Sequence, residues 1–168
     1  MKKIFLLLTA TGLIALAGCS GKKESTKIPG MMELDLSSHG LPIMISVPDS
    51  ARNKFEIVTQ SWGATEIKVG KDFQISISEG DGDITLAKSD VAGNDVNKFK
   101  RYVIDEPTTI LYESEITEPE FHLYSVVKLE KASYVVEDIK GEIFSEKMAQ
   151  KMAESAKSIR VKETPAAS

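Results

Sequence analysis

The stretch Thr65-Glu66-Ile67-Lys68-Val69-Gly70-Lys71-Asp72-Phe73-Gln74-Ile75-Ser76-Ile77-Ser78 decides the fold class. Phe73, Ile75 and Ile77 fall on one side of an extended chain and Gln74, Ser76 and Ser78 on the other, the two-residue period of a half-buried strand. Thr65, Ile67 and Val69 alternate in the same way with Glu66 and Lys68. Gly70-Lys71, a glycine-first pair, suits a tight hairpin turn between the two runs. The chain therefore builds antiparallel sheet.

Working outward, further strands are expected at 43–47, 55–60, 109–114, 121–129 and 134–139, the last two joined as a hairpin through 130–133. Most of the connections are too short for a crossover helix, so neighbouring strands run antiparallel as a meander. One helix is expected over 145–160. Ser145 stands where it caps the first amides, and Glu146 complements the positive helix end. Met148, Ala149, Met152, Ala153, Ala156 and Ile159 form an apolar stripe opposite Lys147, Gln150, Lys151, Glu154 and Lys157, so one face packs on the sheet. A second helix is expected from the cap Asp83 toward Lys100, interrupted at Gly93-Asn94, which would end or bend it. The expected fold is α+β: an antiparallel sheet of about six to seven strands flanked by two helices. The segment Leu41-Pro42-Ile43 through Pro48, the Trp62 turn and the closing helix at 153–159 resemble the PsbP-type α/β/α sandwich, a fold also found in a Ran-binding protein and in assorted bacterial lipoproteins. That resemblance implies binding and assembly.

The N-terminus carries a different message. Lys2 and Lys3 precede an apolar run from Ile4 to Leu16 broken only by Thr9, Thr11 and Gly12, the layout of a secretory signal. The run falls short of the about 20 residues that cross a bilayer. Leu16-Ala17-Gly18-Cys19 resembles the lipobox of bacterial lipoproteins. The resemblance implies cleavage before Cys19 and two or three acyl chains on that residue, enough for stable attachment. An ordinary secretory signal cut elsewhere is the plainer alternative. Cys19 is the only cysteine, so no internal disulfide competes for it. Ser20 resembles the follow-on residue of lipoproteins passed to the outer membrane where one exists; otherwise the outer face of the cell membrane is expected.

The expected organisation is a signal peptide at 1–18, a lipidated tether at 19–30, one α+β domain at 31–162 and a disordered tail at 163–168. A tether of about ten residues reaches roughly 17 Å on average. Cleavage removes two lysines and no acid, taking the net charge from −4 to −6. An acidic domain of this kind is a poor ligand for nucleic acid or anionic headgroups. Membrane contact is thus assigned to the lipid on Cys19.

Signals for chemistry are sparse. Glu79-Gly80-Asp81-Gly82-Asp83 offers alternating oxygens on a glycine loop, which makes Asp81 and Asp83 weak metal candidates. A calcium loop needs more carboxylates and a glutamate near its twelfth position, whereas Asp90 is the next acid here. A turn ending in a helix cap is the plainer reading. His39 and His122, the only histidines, stand far apart without zinc-ligand spacing. No nucleophile elbow surrounds any serine. His122, beside Glu120, is expected to face solvent. Lys98, Lys100 and Arg101, interleaved with Phe99 and Tyr102, would meet an acidic partner or a headgroup, or form a solvated helix end. Glu113, Glu115, Glu118 and Glu120 suit a soluble sheet edge. Trp62 either anchors a partner or, as lone tryptophans more commonly do, buries part of its ring.

No cofactor is implied. The expected function is a non-catalytic binding or assembly module of the bacterial envelope, partnered by another envelope protein. The alternatives are a carrier holding a small apolar ligand or lipid between sheet and helix, and a hydrolytic enzyme.

Overall fold

Alternation at 65–79 produces the expected hairpin, with β4 (Thr65–Val69) pairing antiparallel to β5 (Phe73–Glu79). Val69 lies opposite Phe73, so the turn holds three residues, Gly70 to Asp72, rather than two. Gly70 has φ +66°, a left-handed conformation that costs glycine little. The structure, a computed structural model, describes residues 28–49 and 54–162. Cys19 and the expected lipobox residues Leu16 to Gly18, most of the expected tether and the expected tail at 163–168 lie outside the described residues.

Around the hairpin, β3 (Phe55–Thr59), β6 (Lys98–Glu106), β7 (Thr109–Glu115), β8 (Pro119–Lys128) and β9 (Ser133–Asp138) complete a seven-stranded antiparallel sheet among the described residues. Its order is β3-β4-β5-β9-β8-β7-β6. Two meanders are joined where β5 meets β9, from Ile75 opposite Asp138 to Glu79 opposite Tyr134. A second antiparallel sheet, ordered β1-β2-β10, holds β1 (Met31–Asp35), β2 (Ile43–Pro48) and β10 (Arg160–Val161). The fold is α+β, with an antiparallel sheet flanked by two helices, α1 (Ile84–Ala92) and α2 (Glu146–Lys157).

α2 uses its apolar stripe as expected. Ala149, Met152, Ala153 and Ala156 are buried against Ile75, Ile77, Leu111, Leu123 and Val136 of the large sheet. The other side of α2 meets β2, whose Ile43, Ile45 and Val47 join the same core. Packing of this density between two sheets and a helix is what fixes their spacing. The opposite face of the large sheet carries α1, which lies over β6 and β8 and buries no residue completely.

Three expectations need correction. The second helix stops at Ala92, so the interruption at Gly93-Asn94 ends it rather than bends it, and it does not reach Lys100. Gly93 closes it, and the Asn94 side chain accepts hydrogen bonds from the amides of Val96 and Asn97 at 3.0 and 2.8 Å, a local turn that competes with helix. Lys98, Lys100 and Arg101 consequently lie on edge strand β6 and not on a helix end. Second, the 43–47 strand belongs to the separate small sheet, since β1 and β10 flank it on both sides. Third, Trp62 is 67% exposed in the β3–β4 turn, because the short strands around it leave no apolar layer at that corner.

The basic and acidic clusters meet each other. Arg101 donates to Glu113 on β7 at 2.6 Å and to Glu146 in the first turn of α2 at 2.8 Å, and Lys100 pairs with Glu115 at 2.7 Å. Both carboxylates push the Arg101 pKa up, Glu146 foremost. The pairs fasten the edge strand to its neighbour and to α2.

Candidate binding cleft

Strand alternation sorts the large sheet into two surfaces. Leu111, Leu123 and Val136 turn toward α2, so Ile110, Tyr112, His122, Tyr124 and Glu137 turn toward α1; Ile110 stands opposite Tyr124, Tyr112 opposite His122 and Tyr124 opposite Glu137. The segment ahead of α1 lies tightly on this second surface. A Cβ at Gly82 would meet Val126 Cγ2 at 2.6 Å and Val135 Cγ2 at 2.8 Å, so only glycine permits the approach. The Tyr124 hydroxyl accepts from the Asp83 amide at 3.2 Å, and Asp83 Oδ1 accepts from the amides of Thr85 and Leu86 at 2.7 and 3.1 Å. Asp83 is thus a helix cap. Asp81 is exposed, and among the described residues no three His, Cys, Asp or Glu side chains form a metal shell.

Held at its start, α1 leans over the sheet and leaves a cleft of about 200 Å³ beneath it. Leu86, Ala87 and Val91 of the helix face Ile110, Tyr112 and Tyr124 of the sheet, with Asp90, Glu137 and Lys140 at the rim. A smaller hollow of about 120 Å³ continues past Tyr112 toward Asn94 and Asn97 and shares Asp90 and Val91 with the first. The Tyr112 phenol is held well above the usual tyrosine range, first by burial and then by the charges of Asp138 and Glu137. It remains a neutral donor at physiological pH.

Behind Tyr112 stands a buried polar network. The His122 ring lies 5.3 Å from the Tyr112 ring, centroid to centroid, at 38°. Its Nδ1 is 2.9 Å from Asp138 Oδ2, while the other carboxylate oxygen, Oδ1, accepts from the Leu123 amide at 2.7 Å. The carboxylate makes Nδ1 the protonated nitrogen. Nε2 lies 3.4 Å from Asn97 Nδ2 and 3.4 Å from Glu120 Oε2. His122 is buried rather than solvent-facing as the sequence suggested, because its strand neighbours place it under the α1–β6 connection. The Asn97 Oδ1 atom is itself buried without a hydrogen-bond partner among the described residues.

An imidazole oriented by a carboxylate is one half of a nucleophile-activating device. The nearest serine by register is Ser114 on β7, opposite Glu120, and its Oγ makes no hydrogen bond among the described residues. Among the described residues, the His122 ring contacts Asp138, Asn97 and Glu120 rather than a serine hydroxyl. His39 sits elsewhere, in the short turn Ser37–His39, with its Nδ1 3.5 Å from Thr59 Oγ1. The two histidines do not share a site, and neither Trp62 nor Lys98, Lys100 or Arg101 lines the cleft.

Sequence reading missed Tyr112, Tyr124, Asn97 and Asp138. A signal was present: Asp138 ends the alternating strand Tyr134-Val135-Val136-Glu137-Asp138 on its core-facing register, where an acid demands a partner. Comparisons with protein-family models, curated proteins and solved structures find nothing that matches the chain.

Proposed function

We propose that the chain is a lipid-anchored, non-catalytic binding module of the bacterial envelope that engages its partner through the cleft under α1. The anchor rests on the lipobox-like Leu16 to Cys19 and on the absence of a second cysteine from the sequence. The resemblance to PsbP-type sandwiches belongs to the same reading, and helices on both faces of the large sheet favour it.

The observation that carries the binding role is the contrast between the two faces of the sheet. Under α2, Phe73, Tyr134, Phe144 and Met152 are all 2% exposed or less and fill the space where an apolar ligand carried between sheet and helix would lie. Under α1 the surface stays open, and its aromatic wall is braced by a buried histidine and aspartate. Buried polar groups are costly unless paired, and a paired set is rigid. Rigid walls around an open cleft are what a binding site requires.

The test replaces Leu86, 60% exposed at the mouth of the cleft, with a photo-reactive phenylalanine in the full chain expressed in a bacterial host. A control chain carries the same group in place of Lys71, exposed in the β4–β5 turn. After illumination, mass spectrometry is expected to find a discrete adduct for the first chain only. Equal labelling from both positions would remove the cleft from the reading.

A further inference from the structure

We infer that the cleft under α1 takes an organic cation, an ammonium group on a short apolar or aromatic stem; this rests on the cleft being the binding site. Four features with independent origins favour positive charge there. Asp90 borders both hollows and forms no ion pair among the described residues. Asp90 and Val91 also belong to the last turn of α1, a turn without any basic residue, so the negative end of the helix adds to the carboxylate. Asn97 lines the smaller hollow, and its Oδ1 has no hydrogen-bond partner among the described residues, so a small side-chain shift offers an unsatisfied acceptor to a donor there. Tyr112 and Tyr124 present aromatic rings to the same space, and ring faces attract cations.

The remaining lining sets the rest of the ligand. Leu86, Ala87 and Val91 on the helix and Ile110 on the sheet give apolar lining on both walls, which suits a hydrocarbon stem. The cation Lys140 is 3.4 Å from Glu137, and Asp83 is committed to capping. That leaves Asp90 as the carboxylate available to the ligand. The same chemistry is met in a free amine or in a lysine side chain of an envelope protein.

The experiment titrates the full-length chain in detergent micelles with benzylamine, followed by amide chemical shifts. Benzyl alcohol and benzoate serve as neutral and anionic matches of the same shape. Benzylamine is expected to shift amides of α1 and those of Tyr112 and Tyr124, with both matches at least about tenfold weaker. Asp90→Asn is expected to weaken benzylamine about fivefold, the size of one partly exposed charge pair, and to leave benzyl alcohol unchanged. A second arm uses Nα-acetyl-lysine methylamide. Tighter binding of that probe points to a protein side chain, and tighter binding of benzylamine to a free amine. Benzoate binding as tightly as benzylamine, no effect of Asp90→Asn, or shifts away from the cleft would overturn the assignment. Absence of benzylamine shifts beside a specific adduct at position 86 would sink the cation and leave the cleft standing.

Discussion

Asp138 is only 2% exposed at the end of β9, and its two oxygens are divided between the Leu123 amide and the His122 ring. Removing the carboxylate strands both donors in the sheet, and each unsatisfied buried group costs about 1–3 kcal/mol. Asp138→Ala is therefore expected to lower stability by about 3 kcal/mol in urea denaturation, and Asp138→Asn, which keeps an acceptor, by less. Tyr112 provides a pH test. Its folded pKa lies above the ordinary value of 10.0, so as pH rises past that value the unfolded chain releases this proton while the folded chain retains it. Stability then falls with increasing pH. Tyr112→Phe should make that fall shallower, as measured by denaturant midpoints from pH 9 upward; parallel curves for the two proteins would count against the buried-phenol account. Of these residues, only His122 was singled out by its sequence, since its environment is supplied by two other strands and a loop.

At the scale of elements, α1 is held by its ends more than by its side. It buries no residue fully, and its start depends on the Asp83 cap and on the close approach at Gly82. Gly82→Ala forces Val126 and Val135 to give way, and overpacking of this kind costs about 1–3 kcal/mol. Amide exchange should quicken in α1 while that of β4 and β5 is unchanged; uniform acceleration would mean that the helix is not a separate unit. Asp90→Asn acts in the opposite sense on stability. Taking a negative charge from the last turn of a helix is worth about 0.3–1 kcal/mol, so this variant should melt slightly higher than the parent while binding cations less well. The boundaries of α1 also mark the limit of local reading. Asp83 and Gly93 announce its start and end, yet β6 beyond it is recognisable only through its pairing with β7, including two irregularities near Phe99 and Tyr102. Interleaved Lys98, Lys100 and Arg101 break the two-residue period that exposed the other strands.

For the whole molecule, α2 is the joint between the two sheets. Met152 is fully buried in that joint, and truncating a buried methionine to alanine costs about 2–5 kcal/mol. Met152→Ala should lower the denaturation midpoint with all probes moving together, since one core serves both sheets. The proposed tether belongs to the same scale. If Cys19 carries the proposed lipid, Cys19→Ala in the full chain should abolish acylation and move the protein from the membrane fraction to the soluble one with the circular dichroism of the domain retained. Continued membrane association of the unlipidated chain would transfer anchoring to the domain itself.

Sequence alone determined what short-range periodicity can encode: the antiparallel hairpins, the amphipathic α2, the cap at Asp83 and the class of fold. Each depends on side chains within a few positions of one another, where a period of two or 3.6 residues decides which face is apolar. Only tertiary structure decided that 43–47 joins β1 and β10 in a sheet of its own, that β5 pairs with β9, and that Tyr112, His122 and Asp138 gather behind one cleft. Among those contacts, Ile43 pairs with Val161, 118 positions away, and Ile75 with Asp138, 63 positions away. Their partners are selected by the packing of the whole core, which no local pattern contains.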